Sequence, residues 1–345
     1  MEKVVLTGLS KMETITVNDP SLTSTTDVKI RLASIGVCGS DIHYYSEGKI
    51  GSQIVEYPFA VGHECSGYVE EAGSEVTGLK KGDLVVVDPA VFCGSCDQCL
   101  SGRPHTCRHN KFLGCPGQLE GCLSDYIVMP SFTCFPVTGK LNPIQAALIE
   151  PFSIGIYSVR QANLSGNSNS AIIFGAGPIG LSILLKLKAD GISSIGMVEP
   201  LEYRLKKAGE MGAGYIINPL NEDVEVKVKD HEELLVDEVF EASGEQDAVN
   251  NALKILKPGG KLVLVGIPES AGYYFDMDLM RRKEITVLNI RRQNHCVQEA
   301  IDLAASGKVN LEQMVTHHYS LRETAAAFDT VAGYKDGVVK AVINL

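Results

Sequence analysis

No tryptophan occurs in the 345 residues, and basic side chains are outnumbered, 31 Lys and Arg against 42 Asp and Glu, for a formal net charge of −11. A nucleic-acid partner would need clustered cations to meet phosphates, so none is expected. The opening MEKVVLTGLS lacks an apolar run behind a basic start and does not read as a secretory leader. The most apolar stretch, residues 170–191, is interrupted by glycines and a proline and turns charged from Lys186, so no membrane span is expected. The expected location is the cytoplasm. There is no internal repeat and no low-complexity linker. Cysteine, by contrast, is plentiful. Ten are present, four of them at 93, 96, 99 and 107. A secreted disulfide scaffold would be shorter and denser in cysteine. In a reducing compartment, a tight group of four indicates a metal.

Hydrophobic residues make up 45% of the chain, ample for one large or two medium cores. Residues 1–150 read as mainly strand and loop. VKIRLAS (28–34), GYVEEAG (67–73) and DLVVVDPA (83–90) carry short β-branched or alternating patterns bounded by turn residues. From about residue 155 the texture changes. NSAIIFGAG, SIGMVEP, AGYIINP, VDEVFEAS and KLVLVGIP read as strands, and EITVLNI as a sixth. Segments with helical spacing stand among them, including PIGLSILLKLKADG, EYRLKKAGEMGA and DAVNNALKILKPGG, the last expected to close at its Pro-Gly-Gly. That alternation predicts an α/β fold, a mostly parallel sheet covered on both faces by helices. Two further helices and a closing strand, VVKAVINL, follow residue 290. That strand is expected to rejoin the first domain.

Gly175-Ala176-Gly177-Pro178-Ile179-Gly180 follows an apolar strand and opens a helix, and Glu199 ends the next strand. Glycine-rich turns alone are common, but this layout is the one a dinucleotide needs. Gly175 permits the tight turn, Gly177 a close approach of backbone to pyrophosphate, and Gly180 close helix–sheet packing. The helix N-terminus favours phosphate, and Pro178 fits its first turn. Glu199 would accept from ribose hydroxyls and repel a 2′-phosphate, favouring NAD over NADP. Arg204, five residues on, tempers that preference. The plain alternative is a structural turn beside a surface acid.

In CGSCDQCLSGRPHTC, Cys93, Cys96, Cys99 and Cys107 have a spacing that lets four thiolates form the tetrahedron structural zinc prefers. Spacing alone leaves an iron–sulfur cluster open. His105 and His109 read as ordinary polar loop residues. Further potential ligands lie elsewhere. Cys38 follows a strand, His63 and Glu64 stand in GHECSG, and Glu150 stands in IEPFSIGIY. Each has a bland reading, and a buried cysteine is common. Together they suit loop-borne ligands of a catalytic zinc that keeps an open position and polarises a hydroxyl. Cys65 reads as packing.

These stretches, with KPGGKLVLVG at 257–266, make the chain resemble the zinc-containing medium-chain alcohol dehydrogenase superfamily along essentially its whole length. The resemblance implies a GroES-like, β-rich catalytic domain at 1–154, a Rossmann NAD-binding domain with a doubly wound parallel sheet at 155–290, and a segment at 291–345 completing the catalytic domain. It implies two zinc ions per subunit and a homotetramer or homodimer. CGSDIHYYSEGKIG and ALIEPFSIGIYSVR resemble the polyol branch, the sorbitol and L-iditol dehydrogenases. By that resemblance Cys38, His63 and Glu64 form the catalytic zinc set, with Glu150 binding the ion or its water. Ser40 and His43 match positions that carry the hydroxyl proton away. Tyr44 and Phe112 match pocket residues, and Arg291 an arginine that bonds polyol hydroxyls. The implied activity is NAD-linked oxidation of a secondary hydroxyl of a polyol to give a ketose. Two features depart from the animal-type enzymes: all four loop cysteines are kept, and Arg292 replaces an aromatic. An Arg-Arg pair keeps polyol-phosphate dehydrogenases open, and threonine and butanediol dehydrogenases share the frame. A non-catalytic NAD-binding zinc protein and a zinc-free quinone reductase relative are the rivals that the intact ligand sets disfavour.

Overall fold

The computed structural model describes residues 1–164, 170–268 and 272–345. Asn169, at the start of the strand expected from NSAIIFGAG, lies outside the described residues. The chain divides into two compact units, one made of Met1–Glu150 with Val297–Leu345, the other of Pro151–Cys296. Among the described residues, no helix is long and apolar enough to cross a membrane.

The first unit, GroES-like in fold, is organised by strand Asp27–Gly36. Val28, Ile30 and Leu32 are buried while Arg31 faces solvent, the period-2 pattern of a half-buried strand. The strand pairs antiparallel with Glu64–Ala72, and the register shifts between Leu32 and Ser34. Beyond that shift Ser34, Ile35 and Gly36 are all buried. Strand Lys340–Asn344 closes on the other side, with Val342 opposite Gly36. The closing strand thus does rejoin the first domain. Three strands from distant parts of the chain meet at Gly36, and their ends carry much of the site described below. Behind them lies an apolar core including Ile30, Ile35, Val61, Cys65 and Phe328.

The second unit holds a six-stranded parallel Rossmann sheet. Its spatial order is Tyr215–Ile217, Ser194–Val198, Ser170–Phe174, Val236–Glu241, Leu256–Leu264, Thr286–Asn289. The order reverses beside Ser170–Phe174, the switch point where such sheets bind ligands. Every residue of that strand is buried, as expected when helices cover both faces.

Among the differences from the sequence expectation, two bear on the fold and the site. Helix Gln246–Ile255 stops before the Pro-Gly-Gly, and pairing starts at once, Leu256 opposite Val236. Lys257–Gly260 then bulges out, with Gly259 at φ 79°, before Lys261 meets Glu238. A helix, Gly39–Glu47, also stands in the region read as strand and loop. Asp41 closes a capping box with Cys38 at its start, and Gly48, left-handed at φ 71°, ends it. Cysteine is a rare cap, which hid the helix from a pattern reading.

Candidate metal centres and nucleotide site

Cys38, His63 and Glu64 each offer a ligand atom within 4.8 Å of the others. Cys38 and His63 are loop-borne, as their sequence surroundings suggest, but each stands directly against a regular element. Cys38 caps helix Gly39–Glu47, and Glu64 is the first residue of strand Glu64–Ala72. Asp41, buried in that helix, ties the pieces together. Its Oδ2 accepts the Cys38 N–H at 3.3 Å, and its Oδ1 accepts the Gly62 N–H at 3.1 Å. Oδ1 also lies 3.3 Å from His63 Nδ1, which leaves Nε2 as the nitrogen a metal could use, the carboxylate–histidine arrangement of metal sites. Burial opposes a charge on His63, but the Asp41 carboxylate and Cys38 thiol outweigh it and push its pKa well above the usual histidine value. The cluster therefore draws positive charge, and a divalent cation can supply it in place of a proton. A soft thiolate, an imidazole and a carboxylate make a donor set that suits zinc with a position left open.

Glu64 has a second partner. Its Oε2 accepts from the ammonium of Lys340, a side chain with no exposed surface. Neither Asp41 nor Lys340 was singled out by sequence reasoning. Glu150 stands in the first turn of helix Ile149–Ala162, beside the compact set rather than within it. Burial is the chief reason its carboxyl is pushed up to about 7; Glu64 and Asp88 push the same way, while His63 and Lys340 oppose. Ser40 Oγ donates to Cys38 Sγ at 3.3 Å. The partly exposed His43 has Nδ1 3.1 Å from Glu47 Oε1. Phe112 packs on the His63 ring, centroids 5.4 Å apart. Tyr44 is buried and donates to Gln53 Oε1 at 3.0 Å. Arg291 is an exposed residue of the other unit, and Arg292 after it is left-handed at φ 55°.

The second group gathers all four loop cysteines within 4.8 Å. Four of the Sγ–Sγ separations are 4.0, 3.6, 3.8 and 3.5 Å. A tetrahedron with Zn–S bonds near 2.3 Å has an edge of about 3.8 Å, so a single tetrahedral ion fits. A multi-iron cluster would hold its sulfurs farther apart. The Cys96 N–H donates to Cys93 Sγ at 3.4 Å, and the His109 N–H to Cys107 Sγ at 3.3 Å. Such donors favour thiolate. Backbone and hydroxyl donation from Ser95 leads in bringing Cys93 down to about 5, whereas burial leads in pushing Cys99 up to about 12. His105 is buried in a single turn, Pro104–Thr106, and so is part of the lobe's packing rather than a loose loop residue.

In the Rossmann unit, Gly175 is left-handed at φ 93°, and a Cβ on Gly180 would overlap the Gly175 carbonyl oxygen. The turn thus needs both glycines. Gly177 caps helix Pro178–Ala189, with Pro178 and Ile179 in its first turn. Glu199 is buried and accepts the Ala176 N–H at 2.7 Å and the Leu201 N–H at 3.0 Å. Arg204 Nη1 would lie 3.7 Å from a Cβ on Gly177, so the arginine stands beside the phosphate turn.

Residues 24–139 match the model of the alcohol dehydrogenase GroES-like domain, and residues 178–306 that of the zinc-binding dehydrogenases. The chain is 36% identical to a sorbitol dehydrogenase of Bacillus subtilis, covering 96% of this chain and 93% of that one. It is 33% identical to an L-idonate 5-dehydrogenase of Vitis vinifera, over 92% of this chain and 88% of that one. Among solved structures, an oxidoreductase/dehydrogenase of unknown specificity from Escherichia coli superposes with a TM-score of 0.94 at 29% identity, over 99% of this chain and 98% of that one.

Proposed function

This chain belongs to the zinc-containing medium-chain alcohol dehydrogenase family, in its polyol branch, and from that premise we propose that it oxidises a secondary hydroxyl of a free polyol to a ketone with NAD. The observation that carries the reading is the convergence of Cys38, His63 and Glu64 in a chain whose relatives include a sorbitol dehydrogenase and an L-idonate 5-dehydrogenase. These three residues would hold a catalytic zinc, with Glu150 orienting water beside it. When bound, zinc supplies Lewis-acid polarisation of the hydroxyl, and NAD supplies the hydride acceptor. Ser40, next to Cys38, and the partly exposed His43 would carry the hydroxyl proton toward solvent, Ser40 passing its own proton on as it takes the substrate's. Tyr44 and Phe112 shape the substrate's surroundings. Arg291 donates to its hydroxyls, which favours an extended polyol over a short alcohol. The turn Gly175–Gly180 and the helix behind it receive the pyrophosphate. Glu199 accepts from the adenosine ribose and disfavours a 2′-phosphate. Cys93, Cys96, Cys99 and Cys107 hold a second, structural zinc. We read the chain as a cytoplasmic homotetramer or homodimer.

A substrate panel with NAD and NADP tests this reading. It would contain D-sorbitol, xylitol, galactitol, L-iditol, their phosphates, L-threonine and 2,3-butanediol. The expected outcome is the highest kcat/KM for a free polyol with NAD. Preference for a phosphate ester, or for L-threonine, refutes the substrate class, and preference for NADP refutes the role given to Glu199.

A further inference from the structure

A lysine with no exposed surface needs a reason, because taking an ammonium out of water is costly unless it is paired. Lys340 opens strand Lys340–Asn344. Its Nζ donates to Glu64 Oε2 and, at 3.0 Å, to the Val37 carbonyl one residue before Cys38. Room for the pair comes from Gly36. A Cβ there would overlap Glu64 Oε2 and lie 3.0 Å from Lys340 Cε.

We infer that Lys340 is a positioning residue for the Cys38–His63–Glu64 cluster: it engages one oxygen of Glu64, denies a metal the use of both, and adds a fixed positive charge. The inference rests on reading that cluster as a metal site. Cys38, Glu64 and the Asp41 carboxylate beside His63 would bring three negative charges to a divalent cation. Lys340 offsets the third, and a less anionic surrounding eases ionisation of a hydroxyl held beside it. Without Lys340, Glu64 would bind the cation more fully, and that offset would be lost.

The test uses the whole protein stripped of metal by a chelator and reloaded with Co2+, whose visible bands report coordination. The part of the spectrum that Cys38→Ser abolishes belongs to this cluster. If Cys38→Ser abolishes nothing, the metal-site reading fails, and Lys340 is not at issue. Lys340→Met is expected to shift the Cys38-dependent bands, to tighten Zn2+ at the cluster by about tenfold or more in chelator competition, the scale of removing one nearby positive charge, and to lower kcat more than it changes KM. Lys340→Arg should restore most of each. In a Glu64→Gln background, Lys340→Met should leave the bands where Glu64→Gln alone puts them. If Lys340→Met does not fold, Gly36→Ala probes the same contact, because its Cβ crowds both partners, and it should shift the same bands. A folded Lys340→Met or Gly36→Ala protein with unchanged bands and Zn2+ affinity would overturn the inference and leave Lys340 a purely structural ion pair.

Discussion

Cys93, Cys96, Cys99 and Cys107 lie in one short loop, whereas Cys38, His63 and Glu64 come from the ends of separate elements and are backed by Lys340, 276 positions beyond Glu64. The sulfur group is mostly near the surface; His63 and Glu64 are buried. A local loop can close around its ion with little help from the rest of the fold. The split cluster can exist only after strands Asp27–Gly36, Glu64–Ala72 and Lys340–Asn344 have paired. The first arrangement suits a clamp. The second suits chemistry, because its ligands are held by rigid elements and flanked by fixed charges.

Three substitutions set the clusters against each other, from the largest expected effect on turnover to the smallest. Cys38→Ser should lower kcat/KM by about a thousandfold or more, the scale of charge stabilisation that a metal supplies. The four-cysteine group should keep its ion, which metal analysis would read. A Cys38→Ser protein with full metal content and normal turnover would end the assignment. Asp41→Asn should cost about ten- to a hundredfold, because the amide cannot hold His63 Nδ1–H as a carboxylate does. Its Co2+ spectrum should change only in the Cys38-dependent part; an altered sulfur-rich part would mean that the clusters are coupled. Cys96→Ser should barely alter kcat at low temperature yet lower the melting temperature by several degrees, because the loop loses its ion. If turnover instead fell as far as in Cys38→Ser, the division between clamp and chemistry would collapse.

The gathering of Cys93, Cys96, Cys99 and Cys107 was legible because the four sit in one short loop. The glycine turn at Gly175–Gly180 was legible for the same reason: its glycines, its helix and Glu199 follow one another along one strand–helix–strand unit. Cys38 and the His63-Glu64 pair could be picked out as ligand types, but not the charges that flank them. Asp41 looked like any polar residue after a strand. Its signal was the capping box, obscured by a cysteine in the cap position. Lys340 was simply one residue of the closing strand VVKAVINL. The one hint was its place between Val338-Val339 and Ala341-Val342, a charge with apolar neighbours on both sides. A partner 276 positions away leaves no local pattern to read. The bulge at Lys257–Gly260 was missed because proline and glycines that end a helix equally open a strand irregularity.

Because strand Lys340–Asn344 pairs with Asp27–Gly36, the central strand is completed only late in synthesis. Cys38, His63 and Glu64 leave the ribosome early, and all of residues 151–296 follow before Lys340 is made. Until then Glu64 lacks its ammonium and the central strand lacks a neighbour. Any metal taken up by the nascent chain meets a more anionic, less enclosed set of ligands than the finished protein presents.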